Sequence, residues 1–170
     1  MLELAVDLDA YPLRPKVRLR VAMFAAIDPV RHGLAGPLQA RVVGEVTTLW
    51  LGPDQWLLVS DTISADALIA HCIREIDGLR HHVVDVSAGL RIAHVRGGSA
   101  AALLSMGSGV DWTKQCVRIR FASIPVIVHR YAQNAFDVYY DRSYGDYLER
   151  WMAHSLRDPL LAEAPCLNSR

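Results

Sequence analysis

Cysteine is scarce in this chain and poorly placed for chemistry. Cys72, Cys116 and Cys166 are odd in number, far apart and never in a Cys-x-x-Cys pair, which argues against a disulfide framework or a thiolate metal site and fits a reducing cytoplasm. An excess of one charge is also missing, because 18 basic residues meet 18 acidic ones. Nothing therefore marks a nucleic-acid surface or an acidic tail. The longest apolar run, residues 21–27, is far too short to span a bilayer, and the opening Met1-Leu2-Glu3-Leu4-Ala5-Val6-Asp7 is acidic where a signal peptide is basic. A cytoplasmic protein that is not exported is expected. Lysine is almost absent, since arginine supplies 16 of the 18 basic residues, and a planar guanidinium suits interfaces and anionic ligands better than an ammonium does.

Catalytic signatures are missing too. No G-x-G-x-x-G or phosphate-loop pattern occurs, so a nucleotide or flavin site held by this chain alone is not expected. Gly97-Gly98-Ser99 beside Arg96 offers free N–H groups to an anion, but glycine and serine also simply open a helix, and Gly107-Ser108-Gly109 reads as a helix stop. His81 and His82 are adjacent on a strand and point to opposite faces. Ser87 lacks the nucleophile-elbow glycines, and the side chains of Cys72 and His71 diverge on a helix. Asp54 with Asp61, and Asp137 with Asp141, are conceivable acid–base pairs, yet carboxylates bordering turns are more commonly solvated caps. No catalytic, cofactor-binding or metal residue is assigned.

What is present is enough apolar sequence, 52% of 170 residues, to build one domain or two small halves sharing a core without a staple. The clearest local signal is residues 47–60. Two runs rich in β-branched and aromatic residues flank Gly52-Pro53-Asp54-Gln55, which is a β-hairpin pattern. Eighty residues later Phe136, Val138, Asp141, Asp146 and Leu148 repeat the positions of Trp56, Leu58, Asp61, Asp66 and Leu68, which suggests a duplicated unit.

Further strands are expected at residues 17–21, 81–86, 90–95, 117–121, 125–130 and 136–140. Asp28-Pro29 starts a short helix that Gly33 ends. A helix capped by Ser64 should bury Ala67, Leu68, Cys72, Ile73 and Ile76; helices follow at 99–106 and 143–156, the last with Tyr147, Leu148, Trp151 and Met152 inward. The order strand, helix, hairpin, helix occurs twice. An α+β fold of two ferredoxin-like halves, with a mainly antiparallel sheet and helices packed on it, follows. Residues 1–16, with Pro12 and Pro15, read as an extended arm to be ordered by a partner, residues 17–156 as the folded domain and 157–170 as a tail. Arg118 and Arg120 alternate with apolar residues and Arg130 ends the neighbouring strand. With Trp112 the three arginines are the candidate partner interface, expected on one sheet face.

With these segments in order, the chain resembles the gamma subunit family of heterotetrameric sarcosine oxidase. The resemblance rests on Leu49-Trp50-Leu51-Gly52-Pro53-Asp54-Gln55-Trp56-Leu57-Leu58, on Val84-Asp85-Val86-Ser87, on Gly97 with Ala101, Leu103 and Leu104, on residues 107–111, on Cys116 with Arg118, Arg120 and Pro125, and on Asp141-Arg142-Ser143-Tyr144-Gly145-Asp146-Tyr147-Leu148. It implies the fold of an aminomethyltransferase folate-binding domain. It also implies a non-catalytic accessory role beside alpha, beta and delta subunits, which hold FAD, FMN, NAD, tetrahydrofolate and zinc in an enzyme that oxidatively demethylates sarcosine or a related N-methyl amine. A free-standing folate-binding module is the alternative. Where aminomethyltransferases tend to place an acidic pair, this chain has Asp54-Gln55-Trp56.

Overall fold

The computed structural model describes residues 4–8, 14–21, 27–110, 112–159 and 161. In chain order the elements are β1 (Ala5–Leu8), β2 (Lys16–Val21), a 3-10 turn (Pro29–His32), β3 (Ala40–Val43), β4 (Val46–Gly52), β5 (Gln55–Val59), α1 (Ala65–Glu75), β6 (His81–Asp85), β7 (Leu90–Arg96), α2 (Ala100–Gly107), β8 (Cys116–Phe121), β9 (Ile124–Ala132), β10 (Ala135–Asp141), a second 3-10 turn (Arg142–Tyr144) and α3 (Gly145–Ser155). They form two units, Tyr11–Leu90 on the one hand and Met1–Ala10 with Arg91–Arg170 on the other. The single domain expected over residues 17–156 is thus divided near residue 90.

In the Tyr11–Leu90 unit the strand order is β3-β4-β5-β2-β6, and every neighbouring pair is antiparallel. The alternation Val17, Leu19, Val21 against Arg18 and Arg20 buries the first set and exposes the second, as period-two patterning dictates for a sheet with one face on a core. At the centre stands the hairpin of β4 and β5. Its two turn residues are Pro53 and Asp54, the latter in the left-handed region at φ 58°, and Trp56 lies opposite both Trp50 and Leu19 in the two flanking registers. Ser64 caps α1 by accepting from the Ala67 N–H at 3.2 Å. Only the Leu68, Cys72, Ile76 row is buried, whereas Ala67 and Ile73, expected inward, are exposed. A single i, i+4 ridge of the helix meets the sheet, so the buried stripe is narrower than the apolar pattern suggests.

The other unit repeats the plan, with strand order β1-β7-β10-β9-β8. The internal echo is structural: α1 and α3 span eleven residues each at an interval of 80, and Trp56 and Phe136, Leu58 and Val138, Leu68 and Leu148 are buried in pairs. Inward on α3 are Leu148 and Met152, with Trp151 half-buried against the core; Tyr147 is exposed instead, its ring reaching sideways so that its hydroxyl donates to the Ala122 carbonyl at 2.8 Å.

The arm also reads differently in the structure. Ala5–Leu8 pairs antiparallel with β7 of the same chain, Ala5 opposite Arg96 and Leu8 opposite Ala93, and Leu4, Val6 and Leu8 pack against the second core. The arm's strand is ordered by its own chain, and residue 16 already belongs to β2. Beyond α3, Leu161 is buried and its carbonyl accepts from the Ser99 hydroxyl at 3.1 Å. Residues 1–3, 9–13, 160 and 162–170 of the expected arm and tail lie outside the described residues.

Candidate functional site

The four residues expected to form one interface are separated by the β8–β9 register. That hairpin turns through Ala122 and Ser123, both at positive φ (46° and 69°), so Phe121 pairs with Ile124, Arg120 with Pro125 and Arg118 with Ile127. Arg118 and Arg120 therefore share a face with Ile127 and are exposed on the edge strand. Arg130 pairs with Phe136 instead and lies on the helix-covered face, where its Nη1 donates to the Thr113 carbonyl at 3.4 Å. Trp112 is on that side as well: it is buried, packs edge-to-face on Phe136 at 6.1 Å and donates from Nε1 to Ser105 Oγ at 2.9 Å. Trp112 is a core residue, and the outward-facing pair reduces to Arg118 and Arg120. Charged side chains on an edge strand also discourage strand addition, which is a sufficient structural reason for them.

The carboxylate pairs separate in the same way. Asp61 is exposed and forms an ion pair with Arg14, while Asp54 sits in the hairpin turn with its carbonyl accepting from the Val21 N–H at 3.0 Å. Asp141 caps the second 3-10 turn, accepting from the Ser143 hydroxyl at 2.6 Å and the Ser143 N–H at 2.9 Å. The hydroxyl bond, then the amide bond, hold its pKa below the ordinary value. A lowered carboxylate pKa adds stability above the unfolded value near 3.9, and that contribution is lost as pH falls through the native one. Asp137, by contrast, is buried and accepts from His94 Nδ1 at 2.7 Å. Nothing local in the sequence signals this pair, because its members sit 43 residues apart on neighbouring strands. A carboxylate-oriented imidazole supplies two of the three members of a nucleophilic triad, but no serine or cysteine hydrogen-bonds to His94 among the described residues.

Cys72 is perturbed as well. Burial pushes its thiol up to about 12, so at pH 8 only about one molecule in ten thousand carries the thiolate there. Native protein treated with iodoacetamide at pH 8 is expected to leave Cys72 unmodified, with the Cys72 peptide alkylated only after denaturant is added. Rapid labelling of that peptide in native buffer would contradict the buried geometry. The neutral thiol favours folding fully below the unfolded value near 8.5, and the benefit is lost as pH rises towards 12.

The surface of the Tyr11–Leu90 unit carries an open groove of about 590 Å³ between the β3–β4 hairpin tip (residues 43–46), Ile63 and the α1 residues Ala67, His71 and Arg74. Its walls are mainly apolar, and Asp54 is not among the residues lining it. Among the described residues no three His, Cys, Asp or Glu side chains gather where a metal could be held, and no helix is long and apolar enough to cross a membrane.

Comparison with protein-family models matches residues 21–157 to the sarcosine oxidase, gamma subunit family. The chain belongs to that family. No curated protein sequence matched this gamma-subunit family member. Among solved structures, a chain of the heterotetrameric sarcosine oxidase from Corynebacterium sp. U-96, in complex with pyrrole 2-carboxylate, superposes with a TM-score of 0.74 at 19% identity, covering 98% of this chain and 88% of that one. The glycine cleavage system aminomethyltransferase T from Bartonella henselae gives 0.63 at 15% identity, covering 86% of this chain and 45% of the transferase. At these identities both establish the fold, and this family member spans less than half the length of the transferase. The α+β architecture of two antiparallel sheets agrees with both.

Proposed function

We propose that this chain is a non-catalytic accessory subunit of a heterotetrameric, sarcosine oxidase-like flavoenzyme that oxidatively demethylates sarcosine or a related N-methyl amine in the cytoplasm. The family match over residues 21–157 carries the reading. The fold shared with a heterotetrameric sarcosine oxidase over nearly the whole chain supports it. In this reading FAD, FMN, NAD, tetrahydrofolate and zinc are held by the alpha, beta and delta subunits, and this chain contributes contact surface. Arg118 and Arg120, outward on the edge strand β8, are one place where it meets an acidic subunit surface.

The geometry around the candidate acids favours this role over a folate module. A pterin ring needs a carboxylate among convergent polar groups in a concavity; Asp54 lies in a two-residue turn, and the groove of the same unit is lined without it. Co-expressed with the genes of the larger subunits, a tagged form of this chain should copurify with flavoprotein chains while remaining colourless when purified alone. Calorimetric titration of the isolated chain with tetrahydrofolate should show no heat of binding. A one-to-one isotherm that Asp54→Ala abolishes would replace the accessory reading with the folate module.

A further inference from the structure

The two units follow one plan and diverge where the edge hairpin tip meets the helix. Positions correspond at an interval of 80: Trp50 opposite Trp56 matches Arg130 opposite Phe136, and Leu49 opposite Leu57 matches His129 opposite Asp137. On that scale the β3–β4 ladder ends at Val43 opposite Val46, whereas β8–β9 continues past Ile119 opposite Val126 for two further pairs, to Phe121 opposite Ile124. The longer tip reaches α3. There the Phe121 ring meets Trp151 edge-to-face at 4.8 Å, and Tyr147 donates to the Ala122 carbonyl. The ring lies so close to α2 that a Cβ on Gly107 would come within 2.3 Å of it.

In the other unit the same place is open. Ala67 and His71 stand on α1 where α3 has Tyr147 and Trp151, and the shorter hairpin supplies no Phe121. The result is the groove of about 590 Å³. Its surroundings are also unguarded: Val42, 68% exposed, takes the edge-strand position that Arg118 takes on β8, and valine does nothing to repel an incoming chain. The rim carries two charges of opposite sign. The Arg74 guanidinium and the Glu45 carboxylate border the groove, both residues are exposed, and neither side chain has an ionic or hydrogen-bonding partner among the described residues.

We infer that this groove receives an aromatic side chain of a larger subunit of the complex, with a carboxylate beside it on Arg74, replacing the aromatic filling that the second unit provides for itself. The inference rests on the accessory-subunit reading and names the surface that reading requires. Apolar walls suit the ring, and a buried aromatic anchor with a charged rim is the usual composition of an energetically dominant contact.

Two variants and a cross-link test it in the co-expressed complex. Ala67→Tyr with His71→Trp fills the groove with the second unit's own residues, and it is expected to weaken association with the larger subunits about thirtyfold. Arg74→Glu should weaken it about fivefold, more at low salt than at high salt. A benzophenone amino acid at position 70 should cross-link to a peptide of a larger subunit containing Phe, Tyr or Trp. Circular dichroism melting of the free variants guards against misfolding; if the filled variant does not fold, Arg74→Glu and the cross-link decide. Wild-type assembly that the filled variant matches in affinity would overturn the groove and leave the accessory reading standing. So would a cross-link that joins two copies of this chain or returns to its own residues 162–170. A wild-type chain that fails to assemble with the larger subunits at all would overturn both.

Discussion

Replacing Trp56 with alanine is expected to cost about 3–5 kcal/mol, the range for deleting a large buried aromatic. The indole is 2% exposed, the largest side chain buried to this degree in the protein, and it packs with Leu19, Leu34, Leu58 and Leu68 in the core of the Tyr11–Leu90 unit. Its Nε1 donates to the Ala35 carbonyl at 2.8 Å across 21 residues of chain. Alanine would leave a cavity that β4 and β2 on either side cannot close, and a buried carbonyl without its donor. The melting temperature should fall by about 10 °C for a chain of this length. Trp56→Phe keeps much of the ring volume and removes the bond, so it isolates that bond at about 1–2 kcal/mol. Calorimetry or circular dichroism measures both, and an alanine variant melting with the wild type would remove the hairpin from the centre of the unit.

Deleting residues 1–8 is expected to destabilise the unit containing Arg91–Arg170 by about 3 kcal/mol, taking roughly 1 kcal/mol for each of the three half-buried side chains lost. Those are Leu4, Val6 and Leu8, and the deletion also strips β7 of one of its two neighbours, leaving β10 on the other side. A bare edge strand invites pairing with another chain, so the truncated protein should self-associate as well. Urea unfolding followed by tryptophan fluorescence reads the first effect: Trp112 and Trp151 belong to this unit, whereas Trp50 and Trp56 report the other. Size-exclusion chromatography reads the second. Unchanged unfolding of the truncated chain would return residues 1–8 to the role of a free arm.

Where local chemistry decides an element, the sequence was legible. Pro53 and Asp54 between two β-rich runs specify a hairpin, and the structure turns there. Ser64 and Asp28 cap helical turns through the bonds their side chains are suited to make. The failures share a cause, which is pairing at long range. Strand β1 is four residues long, and its partner lies some ninety residues away at β7, so nothing near it distinguishes an arm from an edge strand. Arg130 was expected to share a face with Arg118 and Arg120 because it ends the strand beside theirs. A two-residue turn, however, pairs odd-numbered with even-numbered positions, and Ala122-Ser123 carries none of the glycine or asparagine that announces such a turn.

Composition, periodicity and motif order were sufficient, then, for the α+β class, the doubled strand-helix-hairpin-helix plan and the resemblance to the gamma subunit family, since each is written in residue types and in spacings of a few residues. Tertiary structure alone decided that the N-terminal strand completes the second sheet, that Trp112 and Arg130 turn to the covered face, that His94 meets Asp137, and that one unit fills the space at its hairpin tip while the other leaves it open. Each of those depends on which side chains from distant segments share a face, and that is set by strand register and strand order, quantities that no local stretch of sequence encodes.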